Sequence, residues 1–209
     1  MIIGPKEQSA YHRRFVPVQA DLKYFMEEST MAQSDPAASR KLLHRRNICV
    51  EGYQRDDGLY DIEGHLVDVK SYEFHVAGGS RPAGEPIHDM WLRIVIDGAM
   101  VIRKAEARTV ARPYPGSCET ITPHYGDLEG LRIAPGFSKV VKERFAGVKG
   151  CTHLTEMIGT LATVAFQTRY GSAESGSDQK PPHLDGCHAL DTHGAVVAEF
   201  YPKWFSQKS

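Results

Sequence analysis

The sequence predicts an α+β domain: an antiparallel meander sheet followed by helices packed on one face, behind an N-terminal extension. Three observations carry this. β-prone segments joined by short Asp-Gly turns crowd residues 46–110. Apolar stripes at helical spacing then fill residues 135–165. Strands first and helices afterwards make a sheet with helices on one face. The expected boundaries are an extension over 1–45 and a single domain over 46–209, with a metal-binding core at 88–170.

Taken in order, residues 19–31 read as a helix, with Leu22, Phe25 and Met26 on one face and Ser34-Asp35-Pro36 ending it. Residues 48–53 form a first strand, and Gln54-Arg55-Asp56-Asp57-Gly58 a hairpin turn. A long second strand over 59–74 has two faces. Asp61, Glu63 and His65 share one, a carboxylate–imidazole set suited to proton transfer. Ile62, Leu66 and Asp68 share the other. Residues 77–86 are rich in Gly and Pro and read as a loop. His88-Asp89 then stands just before the strand 90–96, which the Asp97-Gly98 turn joins to a strand over 100–110.

Helices come next. Phe137, Val140, Val141 and Phe145 are spaced as one helical face. Thr152 is placed to cap the next helix, whose stripe runs through Leu154, Met157, Ile158, Leu161, Val164 and Ala165. Residues 170–182 read as a loop and 195–205 as a final strand.

The chain has 209 residues, a hydrophobic fraction of 41% and a charged fraction of 24%, ordinary values for a globular protein. With 25 basic and 26 acidic residues it lacks the basic field of a nucleic-acid binder. No apolar run reaches the roughly 18 residues needed to span a bilayer, and no secretory signal opens the chain. The expectation is a cytoplasmic protein with no nucleic-acid or membrane partner. In that setting four cysteines are core residues, reactive thiols or metal ligands rather than disulfide staples.

Gly150-Cys151-Thr152-His153 stands where a loop enters the apolar helix. A thiol there feels the positive end of the helix dipole, which favours the thiolate that ligates metal. On this reading His153 points away from the stripe begun by Leu154. Cys118 lies in a Pro/Gly-framed loop after a strand, placed for its sulfur rather than for packing. Carboxylate and imidazole at His88-Asp89 are ordinary zinc ligands. In the tail, Asp185-Gly186-Cys187-His188 could reach a metal or supply a base.

From His88 to Gln167 the sequence resembles the iron–sulfur cluster scaffold proteins, including their zinc-binding branch. His88-Asp89 before a strand, Gly116-Ser117-Cys118 in a loop and Gly150-Cys151-Thr152-His153-Leu154 opening a helix carry the likeness. It implies an iron–sulfur-scaffold-like core with metal ligands at Asp89, Cys118 and Cys151, and His88 or His153 in a fourth place. Cys187 and His188 compete for that place. The family's first cysteine has no counterpart here. The chain also resembles a bacterial family catalogued as domain of unknown function 2889. Gly52-Tyr53-Gln54-Arg55-Asp56-Asp57-Gly58, Asp61-Ile62-Glu63-Gly64-His65-Leu66, His88-Asp89-Met90, Gly150-Cys151-Thr152-His153-Leu154 and Leu184-Asp185-Gly186-Cys187-His188-Ala189-Leu190 suggest this.

Thiolate, carboxylate and imidazole together suit zinc, with iron or an iron–sulfur cluster as the alternative. The expected function is a metal-dependent hydrolase or lyase acting on a small carbonyl- or carboxyl-containing metabolite, aromatic ones included. His153, His65 or His188 would serve as acid/base, and Arg55 or Arg93 would clamp a carboxylate. The competing expectation is a non-enzymatic scaffold for sulfur transfer or cluster assembly. A small-molecule substrate is the expected partner, and a homodimer the expected assembly. No phosphate loop, dinucleotide fingerprint or serine elbow is present.

Overall fold

The computed structural model describes residues 39–76, 79–170 and 179–207. The chain divides into two units at Lys41/Leu42, and every described strand and helix belongs to the larger, C-terminal one. The helix expected over 19–31 lies outside the described residues.

Four long strands make an antiparallel sheet: β1 (His44–Gln54), β2 (Tyr60–Lys70), β5 (Pro86–Ile96) and β6 (Ile102–Ala111), in the order β1-β2-β5-β6. A small separate hairpin of β3 (Phe74–Val76) and β4 (Gly79–Arg81) is inserted between β2 and β5. The segment expected as one strand over 59–74 is therefore β2 and β3 with a break between them, and the Gly/Pro loop contains β4. The β1–β2 connection closes with the Arg55 N–H donating to the Leu59 carbonyl at 2.9 Å, Gly58 taking φ +81°. Between β5 and β6, Asp97 Oδ1 accepts from the N–H groups of Ala99 and Val101. The left-handed residue there is buried Met100, not Gly98.

Strand alternation decides what lies inside. Ile62, Leu66, Met90, Leu92, Ile94 and Ile96 all face the core at 2% exposure or less. After β6 a 3₁₀ segment (Cys118–Leu128) buries Tyr125 and Leu128. Helix α1 (Phe137–Phe145) comes next, then α2 (Thr152–Tyr170), which buries Leu154, Met157, Ile158, Leu161 and Ala165. Each of the leucine, isoleucine and methionine side chains contributes about 1.5–3 kcal/mol on leaving water.

Helix α2 lies along the sheet, touching β1, β2 and β5. Two glycines permit this. A Cβ on Gly64 would stand 2.6 Å from Leu161 Cδ1, and one on Gly52 would stand 1.9 Å from Thr168 Oγ1. The helix thus starts over the Asp68 end of β2 and ends beside the opposite rim, where Arg169 Nε donates to the Gly98 carbonyl.

Residues 195–205, expected as a strand, form instead a short helix α3 (Ala195–Phe200) and a 3₁₀ turn (Pro202–Trp204). Gly194 precedes it, Pro202 ends it, and only Val197 of the helix is buried. The architecture is α+β with an antiparallel sheet and helices on one face.

Candidate metal centre

At the end of the sheet that receives the start of α2, the core face turns polar. Asp68 continues the inward phase of Ile62, Gly64 and Leu66, and is 1% exposed. His88 is its partner across β2 and β5, in phase with Met90 and Leu92. Register shifts come after Asp68 in the β2–β5 pair and before Met90 in the β5–β6 pair. Such irregularities bend a strand and re-aim its side chains. Across β1, Arg46 pairs with Asp68, in phase with Ile48 and Val50.

His153 arrives from the first turn of α2. The expectation that it points away from the apolar stripe is corrected: its i+4 neighbour is core Met157, and its imidazole lies against Asp68 and His88. His88 Nδ1 stands 3.0 Å from Asp68 Oδ2 and His153 Nε2 stands 3.4 Å from the same oxygen. The two imidazoles face each other with centroids 3.7 Å apart. Among the described residues, Asp68, His88 and His153 form a group whose donor atoms all lie within 4.8 Å of one another.

Surrounding groups fix this cluster. Arg46 grips both oxygens of Asp68 at 2.8 Å each, and its remaining arm pairs with Glu156. His44 Nε2 lies 3.4 Å from Asp68 Oδ1. Burial alone would raise the Asp68 pKa. The hydrogen bonds from His88 and Arg46, with the Arg46 charge, outweigh it and hold the carboxyl below the usual range. Burial pushes His153 down to about 4, helped by the charges of His88 and Arg46, so its imidazole is neutral at pH 7. Asp68 and Glu156 against Arg46 leave one net negative charge, which favours a cation.

Cys151 immediately precedes α2. The phenol of Tyr125, itself fully buried, accepts from the Cys151 N–H at 2.8 Å and meets the Cys151 carbonyl and Thr155 Oγ1 at 2.9 and 2.8 Å. That phenol pins the start of the helix. Cys151 Sγ lies 3.7 Å from His153 Nδ1 and 3.8 Å from Met90 Sδ.

The expected ligands Asp89, Cys118, Cys151 and His88 are not brought together. His88-Asp89 lies inside β5 rather than before it, so the two side chains leave opposite faces of the sheet. Asp89 is on the outer face, 2.9 Å from His65 Nε2, and His65 stacks on Trp91 at 3.8 Å. Cys118 opens the 3₁₀ segment with its N–H on the Tyr114 carbonyl and does not join the cluster. Arg93 is also on the outer face, bonded to Asp61 and Glu106. Arg55 serves the β1–β2 turn, bonded to Asp57 and Asp61. In the tail Cys187 and His188 are exposed and outside the cluster. Asp68 was missed as a donor although its signal was present: a carboxylate in the apolar phase of a strand.

An apolar groove of about 450 Å³ runs between α1 and α2, lined by Phe137, Val141, Phe145 and Ile158. Glu156 reaches it, but Asp68, His88, His153 and Cys151 do not line it.

Residues 44–167, well over half of the chain, match the model of a family described as "Protein of unknown function (DUF2889)". The chain belongs to the DUF2889 family. The matched span of this DUF2889 protein begins with β1 and stops inside α2, so it contains Arg46, Asp68, His88, Cys151 and His153. No curated protein and no solved structure matches the chain. Among the described residues, no helix is long and apolar enough to cross a membrane.

Proposed function

We propose that the protein holds a divalent metal ion, zinc in the first instance, on Asp68 Oδ2, His88 Nδ1 and His153 Nε2. The metal would support hydrolysis or elimination on a small carbonyl- or carboxyl-containing metabolite. The observation that carries this is the spacing of the donors. Ligands bonded at about 2.0–2.1 Å in tetrahedral or octahedral order stand roughly 2.9–3.4 Å apart. The two separations from Asp68 Oδ2 are 3.0 and 3.4 Å.

Three protein donors leave a coordination position open, and the imidazoles are 15% and 20% exposed, so water or substrate can reach it. A metal there would polarise a carbonyl or generate hydroxide near neutral pH. The protein's own part is to keep the donors in place. Arg46 holds Asp68, and His153 is already deprotonated, so it loses no proton on binding metal at pH 7. The sulfur-transfer reading rests on Cys118 and Cys151, whereas the donor group that supports the metal reading contains neither.

Elemental analysis of protein purified without added metal tests the reading. One equivalent of zinc is expected, lost in a His88→Ala/His153→Ala double variant and retained in Asp89→Ala and Cys118→Ala. Equal metal content in wild type and the folded double variant would refute it.

A further inference from the structure

Cys151 lies on the far side of the His153 ring from Asp68, and its company there is chemically soft. Sγ is 3.7 Å from His153 Nδ1 and 3.8 Å from the thioether of Met90, which is 1% exposed. A three-coordinate ion with bonds of about 2.0–2.3 Å to nitrogen and sulfur keeps its donors roughly 3.7–4.0 Å apart. We infer that Cys151 Sγ, Met90 Sδ and His153 Nδ1 form a second metal site, one for a soft monovalent ion of the copper(I) class. Thiolate and thioether donors select such ions over magnesium, calcium or manganese. Low coordination needs no open face, which fits a thioether buried in the core.

The two sites share one imidazole through opposite nitrogens, and the sharing sets a rule. When copper(I) takes Nδ1, Cys151 gives up its thiol proton and the ring's remaining hydrogen sits on Nε2. That N–H then points at Asp68 Oδ2, 3.4 Å away. Asp68 thereby changes from ligand to the carboxylate that orients a ligating histidine, a common outer partner of metal-bound imidazole. When zinc takes Nε2, the hydrogen moves to Nδ1 and faces the Cys151 sulfur. Filling both sites would demand loss of the one remaining ring N–H proton, leaving an imidazolate between the two ions. The tautomer of His153 therefore differs between the two singly loaded forms.

The test uses the reduced, zinc-free full chain, titrated anaerobically with copper(I) against a chromogenic copper(I) chelator. The protein should withdraw one equivalent and develop the ultraviolet thiolate-to-copper(I) absorption. Cys151→Ser should abolish that absorption. Met90→Leu, which conserves volume, should keep the circular dichroism of the wild type and weaken uptake by roughly 10- to 100-fold. His88→Ala should lose zinc and keep copper(I), so this site and the proposed zinc site can fail separately. Failure of the wild type to withdraw copper(I), equal uptake by folded Cys151→Ser, or full affinity in folded Met90→Leu would overturn the inference.

Discussion

Asp68 gathers an arginine and three histidines on one buried carboxylate. It is 1% exposed and carries Arg46, His88, His44 and His153 around its two oxygens. Asp68→Asn should destabilise the metal-free fold by roughly 2–4 kcal/mol, since Arg46 and the imidazoles lose an anionic acceptor. Urea unfolding measures this, and a loss under about 0.5 kcal/mol would show that solvent takes over the role. The pH dependence comes from His153. Its imidazole titrates at 6.5 when unfolded and at about 4 when folded. Between those values the unfolded chain binds more protons, so stability rises with pH by up to about 1.4 kcal/mol per unit. Melts of the metal-free protein should therefore weaken steadily from pH 6.5 down to 4. Asp68, depressed below 3.8, adds a further loss below that pH. His153→Gln should flatten the upper limb and leave the lower one.

At the scale of elements, the contact between α2 and the sheet rests on two missing side chains and one phenol. Gly64→Ala places a methyl 2.6 Å from Leu161 Cδ1 and 2.9 Å from Met157 Sδ. A cost of about 1–3 kcal/mol is expected, and relief must come from the helix side, through Leu161→Ala or Met157→Ala. A double variant no more stable than the sum of its parts would dismiss the close approach. Tyr125→Phe removes the acceptor of the Cys151 N–H at 2.8 Å and should cost about 1–3 kcal/mol. The sheet was legible because its strand alternation and Asp-Gly turns are plain in residues 46–110. The tail helix was not, because a short run with a single buried residue, Val197, reads equally as strand or helix. The placement of His88-Asp89 turned on where β5 begins. Four residues of added strand separate two neighbours onto opposite faces, and Pro86 at the start concealed this.

At the scale of the molecule, the candidate centre joins β2, β5 and α2, which are far apart in sequence. The pattern of the sequence could show that Asp68, His88 and His153 were unusual, but not that they meet. Meeting depends on pairing register and on the direction in which α2 crosses the sheet. Zinc at about 100 times its dissociation constant should stabilise the fold by about 2.7 kcal/mol, a rise in Tm of roughly 5–10 °C. Chelation should reverse it, and the His88→Ala/His153→Ala protein should show no rise. A wild type whose Tm ignores zinc would argue against the centre.

β2 and β5 are the interior strands of the sheet, and α2 begins above their Asp68 end. An ion bridging these three elements acts as a rivet against opening. Isotope exchange of backbone amides should then slow in a local pattern: the first turn of α2 and the Asp68 and His88 ends of the two strands. The β1–β2 turn at Gly58, at the other rim, should exchange at the same rate with metal or without it.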